Sequence, residues 1–128
     1  MIKGITKKEH VYADYSYVPA VFLAPKLAHF EDDKVAATVC RAFAGTALAI
    51  SLLTDAKWGC VKLLPYKVHA ILDVSSGVLA LAAAATPPIC ENKNARTTFI
   101  VMGIVGLVVG TLSVVGAKNS KALSFPLA

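Results

Sequence analysis

Three apolar stretches limit what this chain can fold into. Val35 to Thr54 carries one charge, Arg41, and Thr97 to Ala117 carries none. Val68 to Thr86 is polar at its start (His69, Asp73, Ser75, Ser76) and apolar from Val78 to Ala85. At about 1.5 Å of rise per residue, each reaches across a hydrocarbon core of about 30 Å as a helix. A helix satisfies its own backbone hydrogen bonds in lipid, and the alternating pattern of a barrel strand is absent. The expected fold class is therefore all-α, a polytopic membrane helix bundle. Composition agrees: 56% of residues are hydrophobic and 16% charged, with a mean hydropathy of +0.63. Soluble domains carry about 25% charged residues. A disordered tail, a secreted cysteine scaffold and a nucleic-acid binder are all poor fits.

The first apolar segment is weaker. Its run from Val18 to Pro25 is short and proline-rich, with Pro19 and Pro25. It reads either as a short, tilted span over 11–28 or as a re-entrant or interfacial piece. Loop charges favour a span, because cytoplasmic segments retain Lys and Arg. With four spans, Lys3, Lys7, Lys8, Lys57, Lys62, Lys67, Lys118 and Lys121 share one side, and Lys26, Lys34, Lys93 and Arg96 the other. The expected layout is a single domain with a cytoplasmic segment 1–10, spans at 11–28, 35–54, 68–86 and 97–117, and a cytoplasmic tail 118–128. The net charge of +5 reads as juxtamembrane lysines facing anionic headgroups, so the expected partner is the lipid bilayer and no nucleic acid. No internal repeat or linker is evident.

Small residues mark helix-packing faces. Gly103, Gly106, Gly110, Ser113 and Ala117 form one stripe on the last span. Gly45 belongs to a stripe on the second span and Gly77 to one on the third. Such stripes let backbones approach closely in lipid, either within the bundle or against another subunit, so the last helix offers a surface for a homo-oligomer. Asp32 and Asp33 are N-cap candidates for the second span, the last span opens at Asn94 or shortly after, and Pro87 and Pro88 end the third.

The run from Arg41 through Leu53, followed by DAKWGCVKLLPYKVHAILDVSSGVLALAAA at 55–84, resembles the small bacterial membrane proteins of the SPW-repeat type. Lys62, Pro65, His69 and Asp73 match the stretch that opens one helix in that family, whereas Thr86, Pro87 and Pro88 keep only the proline of the Ser-Pro-Trp tripeptide. An N-terminal YVP and the NARTTFI at 94–100 resemble its four-helix members. The resemblance implies a pair of hydrophobic helices per repeat and an address in the bacterial inner membrane, and it implies no established activity.

Chemistry, if present, resides in ionisable groups at membrane depth, where each costs roughly 2.5 to 3.5 kcal/mol. The candidate polar cluster is His69, Asp73, Arg41 and Asp55. His69 and Asp73 are four apart and share a helix face, with Asp55, Lys67 and Asp14 expected at the same cytoplasmic level. Arg41 enters from the opposite end and can reach outward to Glu31, Asp32 or Asp33. No further charge follows along the third span, so no continuous relay is visible. Cys40, Cys60 and Cys90 lack redox or zinc spacing, although Cys40 and Cys90 could meet. His10, His29 and His69 fall on different segments. No catalytic residue, metal or cofactor is therefore expected. The first functional reading is a non-enzymatic structural or interaction protein. The alternative is a minor transporter or proton-coupled channel using the His/Asp pair.

Overall fold

The computed structural model describes residues 4–54 and 59–124, with side chains through 117. Its elements run α1 (Lys7–Leu27), α2 (Lys34–Leu52), α3 (Tyr66–Ala84), a short α4 (Pro87–Cys90) and α5 (Lys93–Ser124). The chain is an all-α helical bundle. The four expected spans fall on α1, α2, α3 and α5. Each helix begins earlier than the apolar pattern suggested, because its cap lies outside the apolar run. The Thr6 side chain accepts from the Glu9 N–H while the Glu9 carboxylate accepts from the Thr6 N–H, a reciprocal capping box. Those bonds, the backbone one first, hold the Glu9 carboxyl below its ordinary value. Asp33 caps α2 through the Ala36 N–H. Asn92, rather than a residue near Asn94, opens α5, its side-chain oxygen accepting from Asn94 and Ala95 N–H groups. Pro65 precedes α3, and Pro87 starts α4 as a first-turn proline.

α1 is one helix through Pro19 and ends in a Schellman turn. His29 takes φ +60°, and Phe30 N–H reaches back to the Pro25 carbonyl at 2.8 Å. That turn drives Phe30 into the core, where it joins Val21, Ala36, Cys40, Ala84, Ile89 and Phe99. Among the described residues three helices, Lys34–Leu52, Tyr66–Ala84 and Lys93–Ala117, are long and apolar enough to cross a membrane, and only 28% of each one's most apolar stretch is buried. Large side chains such as Leu27, Leu79, Val101 and Ile104 point outward from the bundle, a surface suited to lipid.

Contrary to the expectation that nothing repeats, the chain contains two copies of one helical hairpin. A shift of 59 residues, the separation of Asp33 and Asn92, carries α1–α2 onto α3–α5. His10 maps onto His69, Asp14 onto Asp73, Asp33 onto Asn92, Lys34 onto Lys93, Ala36 onto Ala95 and Thr54 onto Ser113. Burial follows the same register: Val11 and Ala70, Val21 and Ala80, Phe30 and Ile89, Ala36 and Ala95, and Cys40 and Phe99 are all core residues. Contacts between the hairpins are reciprocal, the mark of a two-fold relation. Ile5 N–H donates to the Leu112 carbonyl at 3.1 Å, and its counterpart Leu64 N–H donates to the Leu53 carbonyl at 2.8 Å. At the opposite end of the bundle Asn92 donates to its own counterpart, Asp33, at 3.2 Å.

The hairpins differ in how tightly they close. A Cβ at Gly77 would lie 2.8 Å from the Leu107 backbone nitrogen, one at Gly106 would lie 2.9 Å from the Gly77 Cα, and one at Gly110 would lie 2.8 Å from the Val74 backbone. Gly103 is pressed against Leu81 and the Gly77 carbonyl. α3 and α5 are thus packed backbone to backbone, and the stripe that could have met a second subunit is covered by α3 of the same chain. In the first hairpin the equivalents of Gly77, Gly103, Gly106 and Gly110 are Val18, Ala44, Ala47 and Ser51, whose side chains prevent that approach. Gly45 corrects the sequence reading: a Cβ there meets nothing within 4 Å, because α2 stands away from α3 and α5. Gly106→Val is expected to destabilise the bundle by about 1 to 3 kcal/mol through overpacking, whereas Gly45→Ala is expected to be neutral or stabilising by up to about 1 kcal/mol. Equilibrium unfolding in detergent micelles compares the two.

Candidate functional site

The repeated His-x3-Asp of α1 and α3 converges at one end of the bundle. Residues four apart share a helix face, so each helix presents an imidazole and a carboxylate together, and the two-fold relation turns the pairs toward one another. Nε2 of His10 lies 2.9 Å from Asp14 Oδ2 and 2.8 Å from Asp73 Oδ2. Nε2 of His69 lies 2.9 Å from Asp14 Oδ2 and 3.3 Å from Asp73 Oδ2. The four atoms form a closed ring of alternating nitrogen and oxygen, all within 4.8 Å of one another. The imidazoles meet edge to face with centroids 4.9 Å apart, and Tyr66 stacks edge-on against His10 at 5.4 Å.

A second layer fixes the imidazoles. His10 Nδ1 contacts Ser113 Oγ, and His69 Nδ1 lies 2.5 Å from Thr54 Oγ1. These are equivalent bonds across the two-fold: each histidine is held by a hydroxyl of the other hairpin, Ser113 within α5 and Thr54 just past α2. The hydroxyl hydrogens are already committed, because Ser113 donates to the Val109 carbonyl at 2.7 Å and Thr54 to the Ile50 carbonyl at 2.6 Å. A carbonyl can only accept, so each hydroxyl must accept from the imidazole, and Nδ1 carries the proton. In a neutral imidazole the lone pair then sits on Nε2. Both Nε2 lone pairs would face two carboxylates.

Burial separates the roles of the four groups. The histidine side chains are 1% and 3% exposed, and Asp14 and Asp73 are 14% and 22% exposed. What the carboxylates see is a cavity of about 350 Å³ between α1, α2, α3 and α5. Both aspartates line it, together with Tyr17, Thr46, Ser51 and Ser76, and apolar side chains supply most of the remaining wall. It lies where α2 stands off from α3 and α5. A smaller void of about 10 Å³ touches His10, Asp14, Thr54, Tyr66 and His69.

Of the sequence candidates, His69 and Asp73 belong to this cluster. Arg41 does not: it lies near the other end, where it pairs with Glu31 at 3.2 Å and covers the Phe22 ring at 5.6 Å. Asp55 falls outside the described residues. His10 and the hydroxyls of Thr54 and Ser113 were missed, and Asp14 was expected only at the same level. The reason for setting a metal site aside, histidines dispersed over separate segments, does not hold for His10 and His69, which folding brings into ring contact. Cys40 and Cys90 are free thiols: Cys40 donates to the Val21 carbonyl at 3.2 Å, and Cys90 lies by Pro87.

Comparison of the chain with protein-family profiles, curated proteins and solved structures finds no match. Nitrogen-15 NMR of the histidine side chains is expected to find Nδ1 protonated in both His10 and His69. Thr54→Val is expected to remove that preference for His69 alone and Ser113→Ala for His10 alone, each at a cost of about 1 to 3 kcal/mol in stability.

Proposed function

We propose that the chain is a small polytopic membrane protein, with α1, α2, α3 and α5 as four spans and both termini cytoplasmic, that takes up and releases a cation at the His10, Asp14, His69 and Asp73 centre. The observation that carries this reading is the division of exposure: the imidazoles are sealed while both carboxylates open onto the cavity. Ionisable groups at this depth characteristically face a cavity and mark an ion path, and both carboxylates here line one. The cavity supplies a space beside both carboxylates that an ion leaving the ring of ligands would enter. No bond-making chemistry is assigned to the protein.

The alternative, a protein that acts only by helix association, is weakened because the glycine stripe of α5 is occupied by α3. Kinship with the SPW-repeat type, and with it a place in the bacterial inner membrane, remains part of the proposal. It is supported by the pair of hydrophobic helices in each half of the chain.

Purified protein in liposomes, with pH-sensitive and metal-sensitive dyes inside, is expected to carry a cation down its gradient. Asp73→Asn and Asp14→Asn, equivalent by the two-fold relation, should both reduce the flux at least tenfold with little change in helix content. Absence of any cation flux in the unmodified protein would end the transport reading.

A further inference from the structure

We propose that the cation held at this centre is a divalent first-row transition metal of borderline softness, bound on the two-fold relation by Nε2 of His10 and His69 and by Oδ2 of Asp14 and Asp73. The inference deepens the cation-binding reading by naming the class of ion, and it stands on separate observations.

The first is an orphaned group aimed into the centre. His10 is 1% exposed, and its Nε2 lies within 2.9 Å of two carboxylate oxygens, yet it makes a proper hydrogen bond to neither; Asp73 Oδ2 is in the same position. Short distances without donor alignment are what lone pairs pointing at a common third centre produce. The second is spacing. Neighbouring ligands about 2.1 Å from an ion lie about 3.0 Å apart at right angles and about 3.4 Å apart in a tetrahedron. The four edges of the ring are 2.9, 2.8, 2.9 and 3.3 Å. The third is the outer layer. A metal-ligating histidine donates its other ring N–H to a fixed acceptor, and Thr54 and Ser113 are hydroxyls able only to accept at that position.

Ligand chemistry and charge then choose the ion. Two imidazole nitrogens disfavour Ca²⁺ and Mg²⁺, which take oxygen ligands, and the lack of sulfur disfavours Cu⁺. Two carboxylates neutralise a divalent ion, so the loaded centre has no net charge at a depth where net charge is costly. Zn²⁺, Mn²⁺, Fe²⁺ and Co²⁺ meet all three conditions. Because Asp14 and Asp73 also line the cavity, a further ligand position faces the space through which the ion would exchange.

The test uses the full chain in detergent with Cys60→Ser and Cys90→Ser, which removes the less buried thiols as rival ligands. Equilibrium dialysis with elemental analysis is expected to find one Zn²⁺ or Co²⁺ per chain, and bound Co²⁺ should give a visible ligand-field spectrum. Asp14→Asn and Asp73→Asn should each weaken binding more than tenfold. Thr54→Val and Ser113→Ala, which leave all four ligands in place, should each weaken it by about 10- to 100-fold. Glu31→Gln, at the far end, should not change it. No stoichiometric binding, binding unaffected by Asp73→Asn, or equal affinity for Ca²⁺ would each overturn the inference. Proton flux in liposomes without metal binding would leave the transport reading standing and remove this one; metal binding without flux would do the reverse.

Discussion

Four lone-pair-bearing atoms cannot be held within hydrogen-bond distance of one another in a buried site unless positive charge lies between them. The rest of the architecture serves that constraint. The hydroxyls of Thr54 and Ser113 give their hydrogens to backbone carbonyls and so commit both imidazoles to presenting Nε2 to the carboxylates. Two charge-neutral solutions exist, two added protons or one divalent ion. The short distances without aligned donors at His10 and Asp73 favour the ion.

Internal repetition lets a short chain assemble such a centre. One hairpin supplies one histidine, one aspartate and one hydroxyl, an incomplete set. A second copy related by an approximate two-fold completes it, with each hydroxyl serving the other copy's histidine. The copies differ where packing, rather than chemistry, is at stake. Glycines close the second hairpin, Val18, Ala44, Ala47 and Ser51 take their places in the first, and the cavity of about 350 Å³ lies where α2 stands off from α3 and α5. Symmetric ligands thus lie beside a cavity that is not symmetric.

Much of this was legible in the sequence. Apolar length gave the helices, Asp33 and Pro87 gave two of the boundaries, and the spacing of His69 and Asp73 gave half of the centre. The other half was missed for a definite reason. The first span is read as 11–28, drawn around the apolar run from Val18 to Pro25, and this leaves His10 outside the helix; only the capping box at Thr6 and Glu9 moves the start back to Lys7. The repeat escaped notice because apolar residues interchange freely along these helices, so identities between the copies are few and clearest at polar positions. His-x3-Asp at 10–14 and 69–73, and Lys-x-Ala-x-Thr at 34–38 and 93–97, were the available signal. Arg41 was counted with the polar cluster only as an ionisable group at membrane depth; its expected place at the opposite end and its reach to Glu31 are what the structure has.

The claim beneath all of this is that the first hairpin's His10 touches the second hairpin's Asp73. A double-mutant cycle with His10→Gln and Asp73→Asn, read by equilibrium unfolding in detergent, measures that contact directly. Coupling of about 1 to 3 kcal/mol is expected for residues in one buried polar network. Additive effects of the two substitutions, within about 0.5 kcal/mol, would mean that the hairpins do not share a centre and would contradict the account.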